Sequence, residues 1–221
     1  MYNFPDTRLL VFSKSPEKTR VKTRMQPVYS QDFSVSLHKQ LVNHCLSLWA
    51  ASAVCPIDLW LAGSELIFKE ALPSLSTLPV YQQQGNDLGE RMCSAAKMTL
   101  KESEAVLLVG TDCPFIDEDY LISACESLQQ YDLVISPATD GGYVLLGFKQ
   151  LSTTLFNNIN WGSSEVFQQT LVAINKAGLS YKQLPTLSDI DRPEDIELLT
   201  AINGFEDLLT QCGSVQKQSP F

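Results

Sequence analysis

Short apolar runs alternate along the chain with longer stretches in which apolar residues return every three or four positions, and that alternation predicts an α/β fold with a mainly parallel sheet under helices. Leu9-Leu10-Val11-Phe12 reads as a first strand, followed by a polar, basic loop from Ser13 to Arg24. Phe33, Leu37, Leu41, Cys45 and Leu48 then recur at helical spacing. A second strand is expected near Ile57 to Leu61, Ser64 as the N-cap of a helix through Leu72, and a third strand over Pro79 to Gln82. Asp87 opens a helix with Leu88, Met92 and Ala95 on one face, and Ala105 to Val109 is the strongest candidate for a central strand. A helix from Asp117 to Gln130, strands at Leu133 to Ile135 and Tyr143 to Phe148, and a helix marked by Val166, Phe167, Thr170, Leu171 and Ile174 follow. Tyr181 to Leu184 and Pro193 to Ile202 close the pattern as a strand and a helix. Residues 1–205 are therefore expected to form one domain, and 206–221 a polar tail.

Composition narrows the function classes. A chain of 221 residues with 44% hydrophobic residues can bury one sizeable core. Its net charge of -9 disfavours nucleic acid and anionic lipid as partners, so an anionic ligand needs a local basic cluster. The most apolar stretch, Leu41 to Ala62, is interrupted by Asn43, His44, Pro56 and Asp58 and does not suit a membrane span. The six cysteines form no CxxC pair and have no companion histidines, and no secretory signal is read ahead of them. Reduced, buried thiols and a cytoplasmic location are the expectation.

Several loops carry candidate chemistry. Lys14 to Arg24 holds five basic side chains in eleven residues, at the strand end where open α/β sheets place ligands. Lys14, Lys22 and Arg24 are candidates for a diphosphate, and a solvated basic loop is the alternative. In Thr111-Asp112-Cys113-Pro114, the Asp112 carboxylate leaves the sheet's C-terminal edge, where it either caps a turn or holds magnesium or manganese against a diphosphate. Thr139-Asp140-Gly141-Gly142-Tyr143 is a hairpin signal whose second glycine and aromatic would also let backbone approach an acceptor. Asp189-Ile190-Asp191 precedes a helix with Pro193 at its first position, so Asp191 either caps that helix, with Glu194 three residues on, or serves as a second metal ligand. Asp87 caps a helix whose free N–H groups are also suited to a nucleotide. His38 and His44 share one helix with no acid or Ser partner nearby in sequence and read as incidental.

In their order these segments resemble the glycosyltransferase-A-like family of bacterial nucleotide-diphospho-sugar transferases, which includes arsenosugar-biosynthesis members and is related to the molybdenum-cofactor and phospholactate guanylyltransferases. The resemblance rests on Lys14, Pro16 and Val21 to Arg24, on Asp87 to Met92, on Gly110 to Pro114, on Pro137 to Tyr143, on Trp161, and on Asp189 to Asp195; it spans about Leu9 to Gly204. It implies a Rossmann-like three-layer sandwich, a nucleotide in the first loop and a divalent metal on the strand-end aspartate. Applied here, it implies sugar transfer from a nucleotide-diphospho-sugar, with Asp112 and Asp191 on the metal and Asp140 orienting or deprotonating the acceptor. Gly141, Gly142, Tyr143 and Trp161 would face that acceptor. Nucleotidyl transfer from a nucleoside triphosphate and non-catalytic nucleotide binding are the rival readings. The chain departs from the family with Thr19 where the first loop usually has Gly, and with Trp161-Gly162-Ser163-Ser164 for the usual Trp-Ser-Thr.

Overall fold

The computed structural model describes residues 1–18 and 20–216. Seven strands form one sheet: β1 (Thr7–Lys14), β2 (Ile57–Ala62), β3 (Val80–Gln82), β4 (Ala105–Gly110), β5 (Leu133–Pro137), β6 (Tyr143–Phe148) and β7 (Tyr181–Gln183). Their spatial order is β3-β2-β1-β4-β6-β5-β7. β1 to β4 run parallel, β5 and β7 pair parallel, and only β6 runs against its neighbours. The Asp140 hairpin joins β5 to β6, with a register shift at Ser136/Pro137.

Side-chain alternation builds three layers. Leu9 and Val11 point to one face, with Leu59, Leu61, Leu107 and Val109, against helices α1 (Gln31–Ser52), α2 (Glu65–Ala71) and α4 (Glu118–Gln130). Leu10, Val106, Leu108, Leu146 and Phe148 point to the other, against α3 (Leu88–Thr99), Leu155 and Phe156, and α5 (Val166–Lys176). Burying each such side chain stabilises the fold by about 1.5–3 kcal/mol, which is why β4, covered on both faces, reads as an unbroken apolar run. Ser64, Asp87 and Asp117 cap α2, α3 and α4 by accepting from the backbone N–H three residues on. Among the described residues, no helix is long and apolar enough to cross a membrane.

Two expectations change. The segment from 206 is not simply a tail: Glu206–Gln216 is a helix, α6, and Leu208 and Cys212 pack with Phe205 against Met25, Leu37, Leu41 and Ile196. The three apolar positions 205, 208 and 212 follow helical spacing inside a polar composition, which hid them. Residues 217–221 of the expected tail lie outside the described residues, as does Thr19. The second change concerns the cap at Pro193. Pro193–Ala201 is a 3-10 helix, and Asp195, not Glu194, accepts from the N–H groups of Asp191 (2.9 Å) and Arg192 (2.6 Å). Asp191 is thereby released from capping.

Candidate active site

The chain runs from β1 outward to β2 and β3, then returns to place β4 on the other side of β1. Between β1 and β4 the connections diverge, and the crevice at the C-terminal ends of such strands is where α/β sheets bind ligands. Phe12 pairs with Gly110 at this edge. The Ser13 and Thr111 hydroxyls meet at 3.2 Å, tying the two strand ends together. Above them opens a cleft of about 560 Å³ lined by Phe12, Lys14, Arg20, Arg24, His38, Gln83, Leu88, Arg91, Asp112 and Asp191, among others.

Lys22 organises the floor of this cleft. Its side chain is 2% exposed, and Nζ donates to Asp112 Oδ1 at 2.7 Å and to the Ile190 carbonyl. Ile190 N donates in turn to the Asp112 carbonyl at 2.8 Å. One ammonium thus joins the first loop, the end of β4 and the 189–191 segment, at the cost of a left-handed backbone at Lys22 (φ 47°). Lys22, expected at the diphosphate, lines the cleft with its charge directed to Asp112. Replacing Lys22 with Met should lower unfolding stability by about 2 kcal/mol, since an acceptor pair loses its donor while the half-exposed Asp112 is rehydrated. Urea denaturation should show this as a lower midpoint at unchanged slope; an unchanged midpoint would make Lys22 a spectator.

Among the described residues, the second carboxylate oxygen of Asp112 has no hydrogen-bond partner. Burial pushes its carboxyl up, but Lys22, His38 and Lys14 outweigh burial and hold it below the usual carboxylate range. His38, read as incidental, lines the cleft; its Nε2–H donates to the Lys14 carbonyl at 2.9 Å, and burial lowers its pKa so that the ring is neutral at pH 7. His44 lies tilted against Phe205, 5.5 Å between ring centres, in keeping with a packing role. Cys113, beside Asp112, is buried and its thiol is pushed up to about 12, so it packs and does not attack.

The basic loop is partly neutralised by its own surroundings. Lys18 pairs with Asp32 at 2.5 Å and Arg20 with Glu17 at 3.3 Å. Arg24 pairs with Asp191 at 2.7 Å. Lys14, Arg20, Arg24 and Arg91 nevertheless all line the cleft, an excess of positive groups in a protein of charge -9. Arg91 was overlooked in the sequence, although it follows Leu88 by three positions on one face of α3.

The Arg24–Asp191 pair also borders a second hollow of about 220 Å³, lined by Thr139, Asp140, Asp189, Arg192 and Asp195. Asp140 spends one oxygen on Gly142 N at 2.8 Å. Burial, then Asp140, Asp191 and Asp112, push the Asp189 carboxyl up to about 6. The two hollows share Arg24 and Asp191, with Asp112 lining one and Asp140 the other. Other expected residues line neither. Asp87 is consumed as the α3 cap, accepting from Glu90 N at 2.8 Å, and Leu88 and Arg91 reach the cleft in its place. Tyr143 and Trp161 meet edge to face at 6.4 Å, the Tyr143 hydroxyl meets Met92 Sδ at 3.8 Å, and Trp161 lies so close to Gly89 that an added Cβ would stand 2.6 Å from its ring. These aromatics wedge the hairpin against α3. A larger hollow, about 750 Å³ between Thr154–Asn158 and α5, lies away from the strand ends and gathers only Glu165 and Lys176 as charged groups; the smaller, charged cleft is the better candidate.

The residues present suit a hard divalent cation. Asp112 and Asp191 offer oxygen only, and Asp189 and Asp140 add carboxylates beside them. Among the described residues no group of three or more His, Cys, Asp or Glu side chains is arranged to hold a metal alone, so ligand oxygens would have to complete the coordination.

Comparison with known proteins bears on the family and the fold. The model of a bacterial family described as "Uncharacterized protein conserved in bacteria (DUF2064)" matches residues 46–163. A solved structure from Desulfovibrio desulfuricans G20, provisionally named a nucleotide-diphospho-sugar transferase, is 30% identical, with 97% of this chain and 98% of that one covered and a TM-score of 0.87. The 4-diphosphocytidyl-2C-methyl-D-erythritol synthase of Anaerococcus prevotii DSM 20548 shares the fold at 13% identity and a TM-score of 0.61, over 89% and 95% of the two chains. Rv0371c of Mycobacterium tuberculosis H37Rv, solved with manganese, does so at 13% identity and a TM-score of 0.59, over 89% and 99%. No match is found among curated protein sequences.

Proposed function

The chain belongs to the DUF2064 family, and from that premise we propose that it is a metal-dependent transferase whose donor is a nucleotide-diphospho-sugar. One observation carries the reading. Four basic side chains, Lys14, Arg20, Arg24 and Arg91, line a single cleft with Asp112 and Asp191 at the sheet's switch point. Clustered guanidinium groups suit a diphosphate, whose oxygens they meet in pairs. The provisional name of the 30% identical relative points the same way.

In this reading an acceptor hydroxyl attacks the anomeric carbon, the bond from that carbon to the phosphate oxygen breaks, and the nucleoside diphosphate leaves with the bonding electrons. The four basic groups stabilise the growing charge on the departing oxygen. A divalent cation held by Asp112 and Asp191 would, when bound, add its charge to that stabilisation. Asp140, across the Arg24–Asp191 border, takes the acceptor's proton with its second carboxylate oxygen. Lys22 keeps Asp112 ionised and in place.

The test separates bond types. With manganese present, the protein is incubated with nucleotide-sugars and, separately, with nucleoside triphosphates, and slow transfer to water is followed by product analysis. Nucleoside diphosphate released from one nucleotide-sugar is the expected result. Pyrophosphate from a triphosphate with every nucleotide-sugar intact would replace this reading with nucleotidyl transfer, and no turnover in either panel would remove both.

A further inference from the structure

Resting on the reading of the cleft as a nucleotide site, we infer that Gln83 recognises the nucleobase, by accepting a hydrogen bond from a base N–H. Gln83 leaves the end of β3 and lines the cleft. Its Nε2 donates to the Ser13 carbonyl at 3.0 Å and to the Trp60 carbonyl at 2.9 Å. Both partners are acceptors, so nitrogen and oxygen cannot be exchanged, and both amide protons are spent. Among the described residues Oε1 is the atom of the amide left without a partner, and it can only accept.

The neighbouring wall suits a flat ring. Phe12 lines the cleft and is backed by Trp60, stacked at 6.4 Å, which is itself stacked on Tyr81 at 5.0 Å. Leu88, 45% exposed, adds a second apolar surface to the same cleft. The basic groups Lys14, Arg24 and Arg91 line the cleft as well, so one hollow offers an apolar slot, a fixed acceptor and a phosphate-binding wall. An aromatic heterocycle carrying N–H donors, joined to a diphosphate, matches all three. Because Gln83 also holds the carbonyls of Ser13 and Trp60, its amide is fixed before ligand arrives, and a base presenting only acceptors toward it would leave two oxygens opposed.

The experiment compares two probes with manganese present, the nucleoside diphosphate of each common base and ribose 5-diphosphate, which lacks a base. In the unaltered protein at least one nucleoside diphosphate should bind more tightly than ribose 5-diphosphate. In Gln83→Met that advantage should shrink about tenfold, the worth of one hydrogen bond in a buried site, with ribose 5-diphosphate affinity unchanged. Gln83→Lys supplies a donor for the two carbonyls while removing the acceptor, and should lose the advantage likewise. Equal binding of the two probes by the unaltered protein would overturn the base slot, and an advantage that survives both substitutions would overturn the role of Gln83. Parallel loss for both probes would reduce Gln83 to a structural residue. Binding of neither probe by the unaltered protein would instead remove the nucleotide reading on which the inference rests.

Discussion

Replacing Asp112 with Asn should weaken manganese-dependent nucleotide binding by on the order of 100-fold while leaving the fold intact. Asp112 lies two residues past the end of β4, and its carboxylate stands half-exposed at the cleft with one oxygen on Lys22 and, among the described residues, no hydrogen bond to the other. The amide keeps an acceptor for Lys22 Nζ, so the staple to Ile190 should persist, with a lower melting temperature because the buried ammonium loses its counter-charge. What is lost is the negative charge that the cation requires. The same account sets a pH dependence. Asp189, raised to about 6 by its burial and by Asp140, Asp191 and Asp112, takes a proton as pH falls through that value. A bound cation favours the ionised form, so manganese affinity should drop below pH 6 and level off above it. Titrating Mn²⁺ by electron paramagnetic resonance, with nucleotide present, checks both points; affinity untouched by Asp112→Asn would move the metal elsewhere.

Gly141→Ala should be among the most damaging single substitutions for stability, costing about 3 kcal/mol or more. Gly141 has φ 91°, a conformation that side chains disfavour, and an added Cβ would stand 2.1 Å from the Ser164 carbonyl oxygen. That neighbour is backbone, fixed by the hydrogen bond from Phe167 N to the Gly141 carbonyl at 2.9 Å, and cannot move aside cheaply. For a chain of this size the melting temperature should fall by about 6 °C or more. Gly142→Ala is the control: there the nearest contact is the Asp140 side chain at 3.1 Å, and a much smaller shift is expected. Equal shifts for the two would discard the argument. The result also sorts the hairpin's glycines: Gly141 is required by packing against the 161–165 turn, whatever its part in acceptor binding.

Much of the fold was legible because it rests on local pattern. Two-sided burial gives β4 its apolar run, and capping side chains at Ser64, Asp87 and Asp117 mark helix starts that the structure keeps. The cleft's position was legible too, since the Ser13–Arg24 loop and the Asp112 turn both leave C-terminal strand ends. Contacts between distant segments left no such trace. Lys22 looks like one more solvated cation until Ile190, 168 residues away, supplies its second acceptor. Gly89 reads as a helix-start glycine, but it is small because Trp161 lies against it. Asp87 had two readings, and the cap at Glu90 N took it. Gln83 carries no motif of its own, Arg91 lies unremarked within the Asp87 to Met92 segment, and only the folding of α3 and β3 over the end of β1 brings them to the cleft. Asp195 displaced Glu194 as the cap, a difference of one position that frees Asp191 for Arg24.

The central claim is that the basic cleft between β1 and β4 binds a nucleotide through its diphosphate. Isothermal titration of nucleoside diphosphates with manganese, into the unaltered protein and the Arg24→Ala/Arg91→Ala variant at two salt concentrations, tests it most directly. Saturable binding that weakens with salt in the unaltered protein, and falls at least tenfold in the variant with a shallower salt dependence, is the predicted result. An isotherm identical for the two proteins, or none for any nucleotide, would contradict it.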